Sequence, residues 1–237
     1  MTDKMIAESK DQLGAQAADY ITRVLKSALQ QRGFANIALS GGSTPKVVYK
    51  HLQHTDALDW NAVRFFWSDE RMVPLHDPDS NAGMALENLL HPLSVVPNTI
   101  FTPPTFLQPQ AAAAQYELSL RRILPQQAPP AFDLILLGMG DDGHTASLFP
   151  GTKALNETRR WVAANYVKSK EAWRLTFTYP LLNQARHILF LVSGANKAEV
   201  LADVLENPDS RYPAAQVKPH SGNLIWFLDQ DAATELR

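Results

Sequence analysis

The residues from Gly138 to Gly151 read GMGDDGHTASLFPG and follow directly on the apolar run FDLILLG. Gly138, Gly140 and Gly143 have the G-x-G-x-x-G spacing that, after a strand, seats a dinucleotide pyrophosphate on a helix N-terminus. Asp141 and Asp142 stand where that pyrophosphate would lie, and fixed like charges in a partly dehydrated loop repel it. A dinucleotide site also wants an acid about 20 positions on, after the next strand. The next strand-like run, RWVAANYV, offers Asn165 and Tyr166 there. Proton transfer is the chemistry that these residues suit. Asp142 and His144, two apart around Gly143, can project a carboxylate and an imidazole into one pocket. The carboxylate then holds the ring's tautomer and steadies its protonated form.

Other polar clusters follow apolar runs in the same way. SGGSTPK (Ser40 to Lys46) supplies Gly42 for close backbone approach and hydroxyls on Ser43 and Thr44, with a helix expected from Pro45. Free N–H groups at such a start suit a phosphate monoester, and the same residues equally suit an ordinary capped strand–helix turn. The segment lacks the spacing of a Walker A loop and breaks the G-x-S-x-G nucleophile elbow at Pro45. In SDERMVP, strand alternation lets Asp69 and Arg71 face one cleft while Glu70 faces away, although taken alone the segment is also an ordinary charged turn. Lys197 begins the helix after SGAN, where a cation is mismatched to the helix dipole unless an anion is bound, and Arg174 opens WRLTFTY. His51 and His54 have no H-E-x-x-H pattern and no third ligand nearby, and no metal is expected.

These clusters need a scaffold that brings strand ends together. Apolar positions Leu13, Ala17, Tyr20, Ile21, Val24 and Ala28 mark a first helix that stops at Gly33. The strand-like runs FANIALS, AVRFFWS, FDLILLG, RHILFLVSG and NLIWFLD alternate with helical segments, among them SNAGMALENLL, Gln108 to about Leu124 and ANKAEVLADVLE, and a short C-terminal helix is expected. Runs apolar throughout, separated by helices, imply an α/β fold with a largely parallel central sheet covered on both faces. WRLTFTY alternates and is expected nearer an edge, as an edge strand or small β addition. Pro103 to Pro104 and Pro129 to Pro130 mark loops, and nothing divides the 237 residues into more than one domain. In such sheets ligands gather outside the carboxyl ends of the strands, where all four polar clusters would lie.

Composition narrows the partners. A net charge of -2 gives no basic field for nucleic acid or anionic membrane, so an anion must be met by local cations. With no cysteine there is no disulfide or thiolate chemistry, which suits a cytoplasmic protein. MTDKMIAESKDQ lacks a signal peptide's apolar core, and no run approaches the roughly 20 apolar residues of a membrane helix.

LSGGSTP, FFWSDERMVP with Ser80 and Asn81, GMGDDGHTASLFPG, RLTFTYPLLNQARHILFLVSGANKAEVL and LIWFLDQDAA together resemble the 6-phosphogluconolactonase family, from about Ile37 to Ala233. That family shares its fold with glucosamine-6-phosphate isomerase/deaminase, whose pattern continues G-H-I-A-F-N-E-P and carries D-E-Y. Here the glutamate's position is Phe149 and the tyrosine's is Arg71, which favours lactone hydrolysis. In place of the proline-rich segment common in lactonases the chain has KSKEAW (Lys168 to Trp173). The resemblance implies hydrolysis of 6-phospho-D-glucono-1,5-lactone, the second step of the oxidative pentose phosphate pathway, without cofactor, by a monomer or weak homodimer. His144 would activate water, Asp142 would orient it, Arg71 would stabilise an oxyanion or a substrate hydroxyl, and Asp69 would shape the site. Gly42, Ser43, Thr44, Arg174 and Lys197 would hold the phosphate.

Overall fold

A computed structural model describes residues 2–55, 57–124 and 132–237, so the loop expected at Pro129 and Pro130 lies outside the described residues. The chain runs β1 (Thr2–Ala7), α1 (Lys10–Arg32), β2 (Ala35–Leu39), α2 (Ser43–Leu52), β3 (Val63–Trp67), β4 (Asp69–Arg71) and α3 (Asn81–Ala85), which continues into a π turn over Leu86–Leu90. After α4 (Pro109–Ile123) and β5 (Leu134–Leu137) come β6 (Val162–Val167), β7 (Ala172–Phe177), α5 (Tyr179–Leu182), β8 (His187–Val192), α6 (Ala198–Glu206) and β9 (Asn223–Asp229). Six strands form a parallel sheet in the order β1-β9-β8-β5-β2-β3, and β4-β7-β6 form a second, antiparallel sheet.

The continuous apolar runs are explained by two cores. Leu134 and Leu136 of β5, Leu189 and Leu191 of β8, and Ile225 and Phe227 of β9 pack with Leu13, Ile21 and Leu25 of α1 and Val48 and Leu52 of α2. The alternate residues Ile135, Leu137, Ile188, Phe190, Trp226 and Leu228 pack on the other side with Tyr116 and Leu120 of α4 and Leu201 of α6. Each fully buried side chain of this kind contributes about 1.5–3 kcal/mol, so both faces must stay covered. The first helix ends as its sequence requires: Gly33 at φ 74° donates its N–H to Leu29 O at 2.8 Å.

Two expectations change and a third is narrowed. The C-terminal helix is absent: residues after Asp229 form turns only, with Ala233 N–H shared between Asp229 and Gln230 carbonyls. Of the two places expected for WRLTFTY it takes the small β addition rather than an edge: it contributes β7, the middle strand of the second sheet, where Leu175 and Phe177 join the core of the α4 side. Helix α2 starts at Ser43 rather than Pro45, with Gly42 as its N-cap.

The second sheet joins the first at Ser68. Its N–H donates to Leu39 O (3.0 Å), its hydroxyl bonds the carbonyls of Leu39 (3.1 Å) and Leu136 (3.3 Å), and its own carbonyl accepts from Phe177 N (2.7 Å). Two buried phenols latch the neighbouring strand ends. Tyr49 OH bonds both Ser40 O (2.7 Å) and Ser40 N (3.2 Å), and Tyr116 OH does the same at Trp67, at 3.2 and 2.9 Å. Burial pushes both phenols well above their ordinary range, so they stay protonated donors.

Candidate active site

Because the main sheet is parallel, the ends of β2, β5 and β8 open at one edge, and their loops enclose a cleft of about 300 Å³. It is lined by Gly42, Ser43 and Thr44 after β2, Asp69 and Arg71 from β4, Gly140 and His144 after β5, and Ser193 and Lys197 after β8. The four polar clusters expected at strand ends therefore share one cavity.

His144 lies half-buried in this wall. Its Nδ1 meets Asp142 Oδ1 at 2.5 Å, and the same carboxylate oxygen accepts the His144 backbone N–H at 3.1 Å. A carboxylate only accepts, so Nδ1 keeps its proton in this bond and the neutral ring presents the lone pair of Nε2 to a ligand. Burial works against the Asp142 carboxylate, but the His144 hydrogen bond and charge win and hold its pKa below the usual aspartate value. One face of the ring stacks on Phe149, with centroids 3.9 Å apart and planes 17° from parallel. Gly140 makes room for the pair: a Cβ there would lie 2.1 Å from His144 Nδ1 and 2.6 Å from Asp142 Oδ1.

Helix α2 presents its first turn to the same cavity. Gly42 adopts φ 106°, which a side chain would resist, and no side chain caps the helix. The hydroxyls are held from outside the helix: Thr44 Oγ1 is 2.8 Å from Ser193 Oγ, and Ser43 Oγ accepts from Lys10 Nζ at 2.9 Å. Lys197 enters as the residue just before α6 and forms no ion pair among the described residues. The start of α2, the Ser43 and Thr44 hydroxyls and the Lys197 ammonium thus line one side of the cleft, where dipole and charge suit an anion.

On β4 the side chains divide as alternation demands. Asp69 and Arg71 reach the cleft, while Glu70 turns inward and accepts N–H groups from Arg71 (2.7 Å), Asn81 (2.8 Å) and Ala82 (2.7 Å). Burial raises the Glu70 pKa although these three amides oppose the shift. Glu70 thus ties the start of α3 to β4 and brings Asn81 onto Asp69, whose carbonyl accepts from Asn81 Nδ2 at 3.0 Å. Arg71 Nη1 donates to the Asp79 carbonyl at 2.5 Å.

Arg174 lies elsewhere. It pairs with Arg71 across the β4–β7 ladder and lines an adjoining groove with Arg71, Asp79, Lys170 and Trp173, outside the lining of the cleft. Burial, and then the Arg71 charge, lower its pKa. Sequence reasoning assigned no role to Asn81, Ser147 or Ser193. Each belongs to a segment it had singled out, but their contacts are long-range and leave no mark in local spacing.

A family description, glucosamine-6-phosphate isomerases/6-phosphogluconolactonase, matches residues 8–226. The chain belongs to this family. It is 44% identical to a 6-phosphogluconolactonase of Synechocystis sp. over 91% of this chain and 90% of that one. To a 6-phosphogluconolactonase of Nostoc sp. it is 41% identical over 94% and 93%. The solved 6-phosphogluconolactonase of Trypanosoma brucei superimposes with a TM-score of 0.90 at 31% identity, covering 100% of this chain and 99% of that one. The family is one of sugar-phosphate enzymes, and the solved Trypanosoma brucei member shares the fold of this chain. Among the described residues no helix is long and apolar enough to cross a membrane.

Proposed function

We propose that the protein hydrolyses 6-phospho-D-glucono-1,5-lactone to 6-phospho-D-gluconate, with His144 activating the attacking water. The observation that carries this reading is one cleft lined by both the Asp142-supported imidazole and the Ser43, Thr44 and Lys197 anion cradle. His144 Nε2 takes a proton from water as its oxygen attacks the lactone carbonyl. The tetrahedral intermediate then breaks the bond from C1 to the ring oxygen, and the imidazolium returns its proton to that oxygen. Asp142 holds the ring's orientation and offsets its transient charge. Arg71 meets the developing oxyanion or a sugar hydroxyl, and Asp69 helps to shape the site. Ser43, Thr44, Gly42 and Lys197 bind the phosphate, and Arg174 supports it from the adjoining groove.

A δ-lactone is an activated ester, so a general base supplying about 10²- to 10⁴-fold, with positioning and oxyanion donors, suffices without metal or covalent intermediate. The work falls within one domain, and the step is the second of the oxidative pentose phosphate pathway. The isomerase alternative needs a glutamate five residues after the histidine, where Phe149 instead covers the imidazole face. Acid release from freshly generated lactone, corrected for its spontaneous hydrolysis, tests the reading. No rate above the uncatalysed one, or ammonia release from glucosamine 6-phosphate, would overturn it.

A further inference from the structure

Ser147 lies on the loop that carries His144, and each of its polar groups is bonded to a different strand of the second sheet. Its N–H donates to Thr176 Oγ1 on β7 (3.1 Å), its carbonyl accepts from Asn165 Nδ2 on β6 (2.9 Å), and its hydroxyl donates to Asp69 Oδ2 on β4 (2.7 Å). All four side chains are buried. Thr176 Oγ1 spends its own proton on Phe177 O (2.9 Å), which leaves a lone pair for the Ser147 N–H. Asn165 uses a second N–H on Thr152 Oγ1 (3.0 Å), which in turn bonds Phe149 O (2.7 Å).

This clamp holds a strained turn. Ala146, between His144 and Ser147, lines the cleft at φ 47°, a left-handed conformation that costs a residue with a side chain about 1–2 kcal/mol. Thr145 and Leu148 close the turn with Leu148 N–H to Thr145 O at 2.9 Å. Phe149 then comes back beneath the imidazole. Such strain persists only where the surroundings over-determine it, and the bonds of Ser147 to three strands supply that constraint.

We propose that Ser147 is a positioning residue, fixing together the Asp69 carboxylate and the turn that seats His144 against Phe149. Without its hydroxyl, Asp69 Oδ2 loses its buried donor, and Asn81 Nδ2, 3.3 Å from Oδ1, remains as its side-chain partner. The carboxylate and the imidazole would then no longer keep one spacing toward a bound substrate. The choice of lactone as substrate rests on the reading above; the pairing of Ser147 with Asp69 does not.

A double-mutant cycle tests this. Ser147→Ala removes the hydroxyl and keeps both backbone bonds, and Ser147→Cys keeps the volume with a weak donor should the alanine variant fold poorly. The expected result is a kcat lowered about tenfold with KM within about twofold, and less than about twofold further loss when the change is made in Asp69→Asn. A kcat within about twofold of wild type, or the same loss in both backgrounds, overturns the proposal. Wild-type protein inert toward the lactone would overturn the functional reading instead. The same cycle on Tm would then decide the pairing, non-additive shifts supporting it and additive ones overturning it.

Discussion

At the amino edge of the main sheet Asp133 sits just before β5, with its side chain only 4% exposed. It accepts from Arg32 at the end of α1, from Asn36 N at 2.8 Å where β2 runs, and is 3.4 Å from Arg186 before β8. At the carboxyl edge of the same strands, Lys10 bonds a serine hydroxyl, Arg71 a backbone carbonyl, and Lys197 forms no ion pair among the described residues. One edge sets its arginines against a buried carboxylate, and at the other Lys10, Arg71 and Lys197 have no carboxylate partner among the described residues. Arg32, Arg186 and Arg71 are chemically alike, so the distinction lies in what folding puts opposite each of them.

The contrast can be broken from either side. The largest effect is expected at the carboxyl edge: His144→Ala should lower kcat by about 10²- to 10⁴-fold with Tm unchanged, and turnover near normal would remove the base from the scheme. At the amino edge Asp133→Ala should cost about 1–3 kcal/mol of stability by stranding the Asn36 N–H and two arginines, discounted because both guanidinium groups are partly exposed. Denaturant titration should record that loss while kcat and KM stay at wild-type values; a changed KM would mean the two edges are coupled. Lys197→Ala should raise KM on the order of tenfold with kcat nearly constant, because a charge-assisted bond to phosphate is lost. An unchanged KM would place the phosphate elsewhere.

The smallest effect concerns acid. The Asp142 carboxyl titrates below the ordinary aspartate value near 3.9 because the His144 bond overcomes its burial, so its stabilising share is complete above that value. The share is lost as pH falls through the lower folded value. The acid side of the Tm profile should therefore be steeper for wild type than for Asp142→Asn, and parallel profiles would sever the pair.

Much of this could be read from residue order. The runs at β2, β5, β8 and β9 are apolar on both faces because helices cover both, and the polar clusters after β2, β3, β5 and β8 mark the cleft. Strand β1 was not legible. It is an edge strand with Asp3, Lys4, Met5 and Ile6 exposed and Ala7 buried, so these residues carry the pattern of a polar tail. Asp133 passed unnoticed inside FDLILLG, since the arginine that neutralises it lies 101 residues away. The resemblance implies Arg174 on the phosphate, but WRLTFTY shows only alternation and not which strand its arginine will face. The antiparallel register with β4 sets it opposite Arg71, on the groove side.

Position 140 carries an unusual liability. The atoms nearest to the space that any larger residue would claim there belong to the imidazole and its carboxylate. One added methyl would push first on the imidazole and its carboxylate, so a single carbon atom there strains that pair before any strand.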